Sequence, residues 1–348
     1  MKIAQIVRRF GPVGGQERYV WEVCLQLANE GHEVHVFCHE YDCITSQAKN
    51  IHIHLQKVLF AKPRWLNALL FDHSLRAQLH KGQYDLVHSH EKTREKSCVT
   101  IHSTPFAKVL KKPWYYRLGL RFFFNMKMEC RQLFSPSNLH LIFVSKSIRK
   151  ETLACYPELE SRPYSIVHPG SSLPLQSQRS NPKSRQPKVG FLGREWKRKG
   201  FERSLSILKP LGENGKIQFI SAGFPSEELP TEIDKSWHEH REWVHDLQSY
   251  FNSIDLLIHP AKEEAFGMVV IEAMSQGIPV LISDRCGAGE VLHDPCGKSL
   301  PLENEDASWR AQLLELLEAP PPKAYERSWK IVTQEHLSLY KQLSKNTA

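Results

Sequence analysis

Apolar strand-like runs alternate with helical stretches along the whole chain, and no other feature limits its folding as strongly. Ile3–Val7 leads through a glycine loop into a helix from about Glu17 to Glu30, then Gly31 and a second apolar run, Val34–Cys38. Tyr84–His88, Ser97–His102 and Leu139–Ser145 continue the series. The second half repeats it with Lys188–Leu192, a helix from about Phe201, Ile217–Ala222, Leu256–His259 and Val280–Ser283. Strand–helix alternation of this kind argues for parallel sheets with helices on both faces. A chain of 348 residues exceeds what one core usually organises, so two domains are expected. Ser171–Pro187 is rich in Ser, Pro, Gln and Arg and poor in apolar residues, which predicts a linker. The expectation is therefore α/β: a Rossmann-like domain over 1–170, a linker over 171–187, a second Rossmann-like domain over 188–323, and a terminal helix within 324–348. His168-Pro169-Gly170 reads as the hinge.

Residues 263–284 carry the most chemistry. Glu264 and Glu272 stand eight positions apart across Gly267, and the order is loop, helix start, Gly277-x-Pro279 break, then the short core strand Val280-Leu281-Ile282. A helix start offers unpaired N–H groups and partial positive charge, so Gly267-Met268-Val269 is a natural seat for phosphate. Helical side chains lean toward the N-terminus, so Glu272 can reach forward beside that phosphate and accept two ribose hydroxyls. Glu264, on the other side, can accept hydroxyls of a sugar. A bare pair of carboxylates at this spacing would more often be solvated charges. Phe266-Gly267, Glu272-Ala273-Met274 and Gly277-x-Pro279-Val280 in register argue for a sugar nucleotide instead.

His259-Pro260-Ala261, Glu264-Ala265 with Gly267, and Glu272-Ala273 together resemble the Glu-x7-Glu motif of the retaining glycosyltransferases of family 4, with a pattern like that of bacterial lipopolysaccharide core α-1,3-glucosyltransferases. That family has the GT-B fold, two Rossmann-like domains facing a central cleft, and the resemblance covers essentially the whole chain. It implies that Glu264 holds the donor sugar and Glu272 the nucleotide ribose, with Phe266, Gly267, Met268 and Val269 in the donor site. It also implies that the terminal helix, about Ala324–Ser344, crosses back to the first domain.

Other positions fit the same resemblance. Gly14-Gly15 sits between a strand and a helix and meets neither the dinucleotide nor the P-loop spacing, yet it permits close backbone approach to a ligand. The family carries a similar Gly-Gly near the donor phosphate. Gly193-Arg194-Glu195-Trp196-Lys197-Arg198-Lys199-Gly200 follows a strand at the end where open α/β sheets place ligands. The resemblance implies an Arg and a Lys that clamp the diphosphate: Lys199 maps directly, and Arg194 fits the Gly-Arg form, with Arg198 as its competitor. Two cations can neutralise a leaving diphosphate without a metal. Consistently, no Asp-x-Asp occurs in the chain. His102, in Thr100–Pro105, resembles the family's histidine facing the donor sugar, as a polar contact that need not act as a base. Glu91 is a weaker candidate for facing the acceptor. His88-Ser89-His90 and His238-Glu239-His240 lack third and fourth ligands at supporting spacing, so neither predicts a zinc site.

The formal net charge is +8. Residues 108–132 hold seven Lys/Arg against one acid, Glu129, interleaved with Trp114, Tyr115, Tyr116, Phe122, Phe123 and Phe124. Such a stretch fits an anionic membrane surface or a phosphorylated glycolipid, or else a helix whose long cations lie over its own core. No run is long and clean enough to span a bilayer, the first residues lack a signal-peptide core, and the eight cysteines show no Cys-x-x-Cys pair.

The expected protein is a cytoplasmic, metal-independent, retaining glycosyltransferase, peripheral on the inner membrane face. It would use no cofactor, taking a nucleoside-diphosphate sugar, UDP-sugar favoured, as co-substrate and a saccharide or glycolipid as acceptor, with no nucleic acid as partner. The competing readings are a sugar-nucleotide epimerase or hydrolase, a non-catalytic scaffold, and a nucleic-acid-binding basic protein.

Overall fold

The computed structural model describes residues 1–42, 50–56, 64–137, 139–176, 185–230 and 233–345. The chain divides into two compact units, Met1–Pro169 with Trp329–Ala348, and Gly170–Ser328.

In the first unit the strands are β1 (Lys2–Ile6), β2 (Arg9–Phe10), β3 (Glu33–Cys38), β4 (Glu40–Tyr41), β5 (Ile51–Leu55), β6 (Leu86–Ser89), β7 (Cys98–Ile101), β8 (His140–Phe143) and β9 (Tyr164–Ile166). Among the described residues, seven of them pair in the order β5-β3-β1-β6-β7-β8-β9, all parallel, and β2 pairs with β4. The helices are α1 (Gln16–Asn29), α2 (Arg64–Gly82), α3 (Leu120–Phe134) and α4 (Lys146–Cys155). Ile3, Ala4, Ile6, Val34 and Val36 are fully buried, as strands covered on both faces require. Phe37, Phe71, Leu75 and Leu79 form the core beneath α2.

The second unit contains β10 (Lys188–Leu192), β11 (Gln218–Ala222), β12 (His238–Arg241), β13 (Leu256–His259), β14 (Val280–Ser283) and β15 (Gly297–Leu300). They pair in the parallel order β12-β11-β10-β13-β14-β15. Its helices are α5 (Trp196–Lys199), α6 (Phe201–Glu213), α7 (Leu247–Asn252), α8 (Met268–Ser275) and α9 (Asp306–Glu318). Val189, Phe191, Phe201, Phe219, Ile258 and Trp309 build an apolar core between sheet and helices.

Each sheet reverses its strand order once, between β1 and β6 in the first unit and between β10 and β13 in the second. There the two neighbouring connections leave toward opposite faces and open a crevice at the carboxyl ends of the strands. In the second unit those connections are Gly193–Gly200 and Pro260–Gly267.

The strands expected from sequence do not include the two-residue β2 and β4, nor β5, β9, β12 and β15, which are the four edges of the two large sheets. Edge strands are solvated on one side and need no continuous apolar run. The terminal helix α10 runs over Trp329–Lys345 and packs on α1, where the Tyr19 hydroxyl meets His336 Nε2 at 2.7 Å. Residues before it belong to the second unit, for Arg327 O accepts from Ser171 N (2.8 Å) and Met274 O from Tyr325 N (3.0 Å). Part of the expected linker, 177–184, lies outside the described residues. Its start is anchored on the second unit, since Pro174 O accepts from Gln276 Nε2 at 2.7 Å.

Candidate functional site

Glu264 is the centre of the arrangement in the second unit. Its backbone is held by the segment after β14: its N–H donates to Arg285 O (3.0 Å) and its carbonyl accepts from Gly287 N (3.1 Å). Phe266 O likewise accepts from Ala288 N (2.7 Å) and from the Cys286 thiol (3.1 Å). Gly267 then turns the chain into α8 with φ of +97°, a conformation natural to glycine. A side chain there would also place its Cβ 2.8 Å from Cys286 Sγ.

Three basic side chains surround one oxygen of Glu264. Arg198 Nη1 and His259 Nε2 stand 3.6 Å from Oε2, and Lys199 Nζ stands 3.7 Å away. These distances are too long for hydrogen bonds. Oε2 and both ring nitrogens of His259 are buried without a hydrogen-bond partner, a state that costs free energy unless something bound satisfies it. Burial by itself would push the Glu264 carboxyl up; His259, Lys199 and Arg198 more than offset it and hold the group down at about 2. Burial pushes His259 down, so the ring is uncharged at neutral pH. Of the two positive neighbours, Arg198 is pinned from behind, its Nε donating to Glu195 Oε2 at 2.8 Å.

The helix end completes the group. Gly267 caps α8 without a side-chain hydrogen bond, so the Met268 and Val269 N–H groups lack intrahelical acceptors and carry the positive end of the helix dipole. Glu272 lies one turn in and is buried, 4 % exposed. The structure thus gathers Lys199, Glu264, Phe266, Gly267, Met268, Val269 and Glu272 around the reversal of the second sheet. Arg194 is exposed and makes no ion pair with Glu264; Arg198 occupies that position. Cations and free N–H groups beside a buried carboxylate can bind an anionic phosphate and a hydroxyl-bearing group together.

The first unit holds a separate buried polar relay. Gln5 Nε2 donates to the Tyr340 hydroxyl (3.2 Å), which meets His88 Nδ1 (2.6 Å), and His88 Nε2 meets Thr100 Oγ1 (2.8 Å). On its other side Gln5 Oε1 accepts from His90 Nε2 (3.0 Å). His90 Nδ1 is then bare and accepts from His102 Nε2 at 2.8 Å. The orientation of Gln5 thereby puts the His102 proton on Nε2 and leaves Nδ1 as an acceptor. Burial, reinforced by His336, pushes His102 down to about 3, so it is a neutral ring.

His102 lines a pocket with Gln16, His90, Glu91, Ser103 and Thr104. Glu91 accepts from Arg8 N and Gln16 Nε2, each at 3.0 Å, and burial raises its carboxyl. Gly14 has φ of +99°, and Gly15, at the start of α1, has open space where a side chain would stand. Both are exposed.

The two His-x-His pairs are spent on hydrogen bonds. His88 and His90 belong to the relay, and His238 Nε2 and His240 Nδ1 each meet Ser221 Oγ at 2.8 Å. His259 enters the sequence motif only as part of His259-Pro260-Ala261, with no role beside Glu264, and the relay is not foreseen. The available sign was the same for both: polar residues, Gln5, His88 and His259, set in otherwise apolar strands.

The basic stretch is mostly outside the core. Two 3-10 turns, Phe106–Lys111 and Trp114–Arg117, lead into α3, and every residue from 111 to 120 is exposed. Trp114 is 68 %, Leu118 68 % and Leu120 77 % exposed. The stretch's single acid, Glu129, is buried and accepts from Phe106 N, Ala107 N and the Tyr156 hydroxyl, tying the first turn to α3. Among the described residues no helix is long and apolar enough to cross a membrane.

Comparison with known proteins identifies the family and the fold. Residues 13–173 match the family described as Glycosyltransferase Family 4, and residues 174–330 match Glycosyl transferases group 1. The lipopolysaccharide glucosyltransferase WaaG of Escherichia coli K12 is 31 % identical over 153 residues, 41 % of this chain and 39 % of that protein. An uncharacterised protein of the cps region of Klebsiella pneumoniae is 31 % identical over 106 residues, 30 % of this chain and 29 % of that one. The chain thus matches well under half the length of either relative. A crystal structure of WaaG, a glycosyltransferase involved in lipopolysaccharide biosynthesis, superposes with a TM-score of 0.77 at 21 % identity, covering 99 % of this chain and 98 % of that one. The Anabaena protein HepE, solved with UDP-glucose, superposes with a TM-score of 0.66 at 14 % identity, covering 100 % and 99 %.

Proposed function

The chain belongs to the GT-B glycosyltransferases that its two halves match, and on that premise we propose that it moves a hexose-type sugar, with retention, from a nucleoside-diphosphate donor to a hydroxyl of a saccharide or glycolipid. UDP is the favoured nucleotide, a choice supported by the fold shared with a protein solved with UDP-glucose. Synthesis of bacterial lipopolysaccharide core or another surface polysaccharide is the favoured setting, supported by the partial identity to WaaG.

The observation that carries the reading is the convergence of Lys199, Arg198 and the start of α8 on Glu264. In the reaction the bond from sugar C1 to the phosphate oxygen breaks, and a bond from C1 to the acceptor oxygen forms on the same face. The acceptor proton passes to the departing phosphate oxygen, so no side-chain nucleophile is needed. Lys199, Arg198 and the Met268 and Val269 N–H groups stabilise the charge that grows on the diphosphate, a contribution commonly worth several kcal/mol. They do so without a divalent ion. Glu264 accepts sugar hydroxyls and Glu272 the ribose hydroxyls. His102, neutral and with Nδ1 as acceptor, is a polar contact to a sugar hydroxyl. The exposed basic and aromatic residues 111–120 rest on an anionic membrane or glycolipid at the cytoplasmic face.

The test is transfer of labelled glucose from UDP-glucose to a lipopolysaccharide core acceptor in EDTA. Label in the acceptor supports the reading. Donor consumed equally without acceptor would identify a hydrolase or epimerase instead.

A further inference from the structure

The amino-terminal ends of β3 and β5 carry a cluster that the transfer reaction does not use. Glu33 and His35 are two residues apart on β3 and so share a face. The parallel register sets His52 of β5 directly beside His35, and the two rings stack with centroids 4.8 Å apart. A carboxylate oxygen of Glu33 and one ring nitrogen from each histidine lie within 4.8 Å of one another.

A further histidine supports the group. His35 Nε2 meets Glu33 Oε1 at 2.8 Å, while its Nδ1 meets His54 Nε2 at 2.8 Å. Metal-bound imidazoles usually have the other ring nitrogen held in this way, which fixes the tautomer and orients the ring. When a cation replaces the Nε2 proton, Nδ1–H donates to His54 and the ring stays neutral.

We propose that Glu33, His35 and His52 bind one divalent cation of the zinc type, with water completing its coordination. One carboxylate and two imidazoles suit a borderline metal and not magnesium, which prefers oxygen ligands. Lys2, whose Nζ lies over the Tyr84 ring at 5.2 Å, raises the local positive potential and works against tight binding. Three protein ligands beside that cation point to micromolar rather than tighter affinity. Bound there, the metal cross-links edge strand β5 to its neighbour. It would sit at the opposite end of the parallel strands from His102, which follows the carboxyl end of β7, so it takes no part in transfer.

The experiment uses tag-free protein stripped with EDTA and dialysed, titrated with zinc chloride by calorimetry and followed by thermal melting. One equivalent of zinc with micromolar affinity and a rise in Tm of roughly 2–4 °C is expected. Magnesium should give neither. His52 is exposed, so His52→Ala should fold as the parent does, bind one equivalent less and lose the rise. His54→Ala should bind zinc about tenfold more weakly. No zinc-dependent rise in the parent, or equal binding in parent and His52→Ala, would overturn the site. Neither readout involves glycosyl transfer, so failure here leaves the proposed activity standing, and the reverse holds.

Discussion

Lys199 Nζ stands 3.7 Å from Glu264 Oε2, with its stem laid across Gly193. A Cβ on residue 193 would come 2.3 Å from Lys199 Cδ. The glycine at the end of β10 is therefore a space reserved for the lysine. Gly193→Ala should push Lys199 aside and weaken donor binding about tenfold while moving the ligand-free Tm little. Isothermal titration with UDP-glucose checks the first part and melting the second.

The depressed pKa of Glu264 has a pH signature. Its folded value, about 2, lies below the ordinary 4.5, so the charge contributes stability that is present above about 4.5 and is lost as the pH falls toward 2. The gap corresponds to roughly 3 kcal/mol. Glu264→Gln lacks this contribution at every pH. The Tm of the variant should therefore trail the parent clearly at neutral pH, and the two should converge in acid. A constant difference across that range would argue against the ionised, cation-held carboxylate.

His102 should not titrate near neutrality. Burial holds its pKa at about 3, against an ordinary 6.5, so the ring is neutral through the working range. Its depressed value means that acid below 6.5 favours the unfolded chain, which takes up the proton more readily. The transfer rate is thus expected to be flat with respect to this residue from neutrality upward. Tyr340→Phe removes the hydroxyl that joins Gln5 to His88 and leaves buried polar atoms unsatisfied, at a cost of about 1–3 kcal/mol. It should also lower kcat several-fold with little change in the KM for donor, because the His102 tautomer is no longer enforced. NMR of the imidazole nitrogens reports that tautomer directly.

The exposed stretch 111–120 predicts vesicle binding that depends on charge. Changing Lys111, Lys112 and Arg117 together to glutamine should abolish co-sedimentation with anionic vesicles and leave binding of UDP-glucose unchanged. Each surface charge contributes about 1 kcal/mol near such a membrane, so the triple change is a large one.

Strand–helix alternation revealed the two parallel sheets because buried strands must be apolar on both faces. It hid β5, β9, β12 and β15, since edge strands face solvent and tolerate runs such as Ile51-His52-Ile53-His54. The loop and helix around Glu264 and Glu272 were readable because phosphate binding at a helix start constrains consecutive residues. Arg198 and Arg194 could not be separated by spacing alone. Their difference lies in side-chain direction, which depends on the short helix α5 and on Glu195. The relay to His102 was not readable either, because Gln5, His88 and Tyr340 are far apart in the chain and meet only when α10 packs on the first unit.

The most direct test of the central claim is the shift in Tm that UDP-glucose produces in the presence of EDTA. The parent should show a clear rise, and Lys199→Ala and Glu272→Ala should show none, each judged against its own ligand-free Tm. A parent that responds only after a divalent ion is added, or variants that respond as the parent does, would contradict the account.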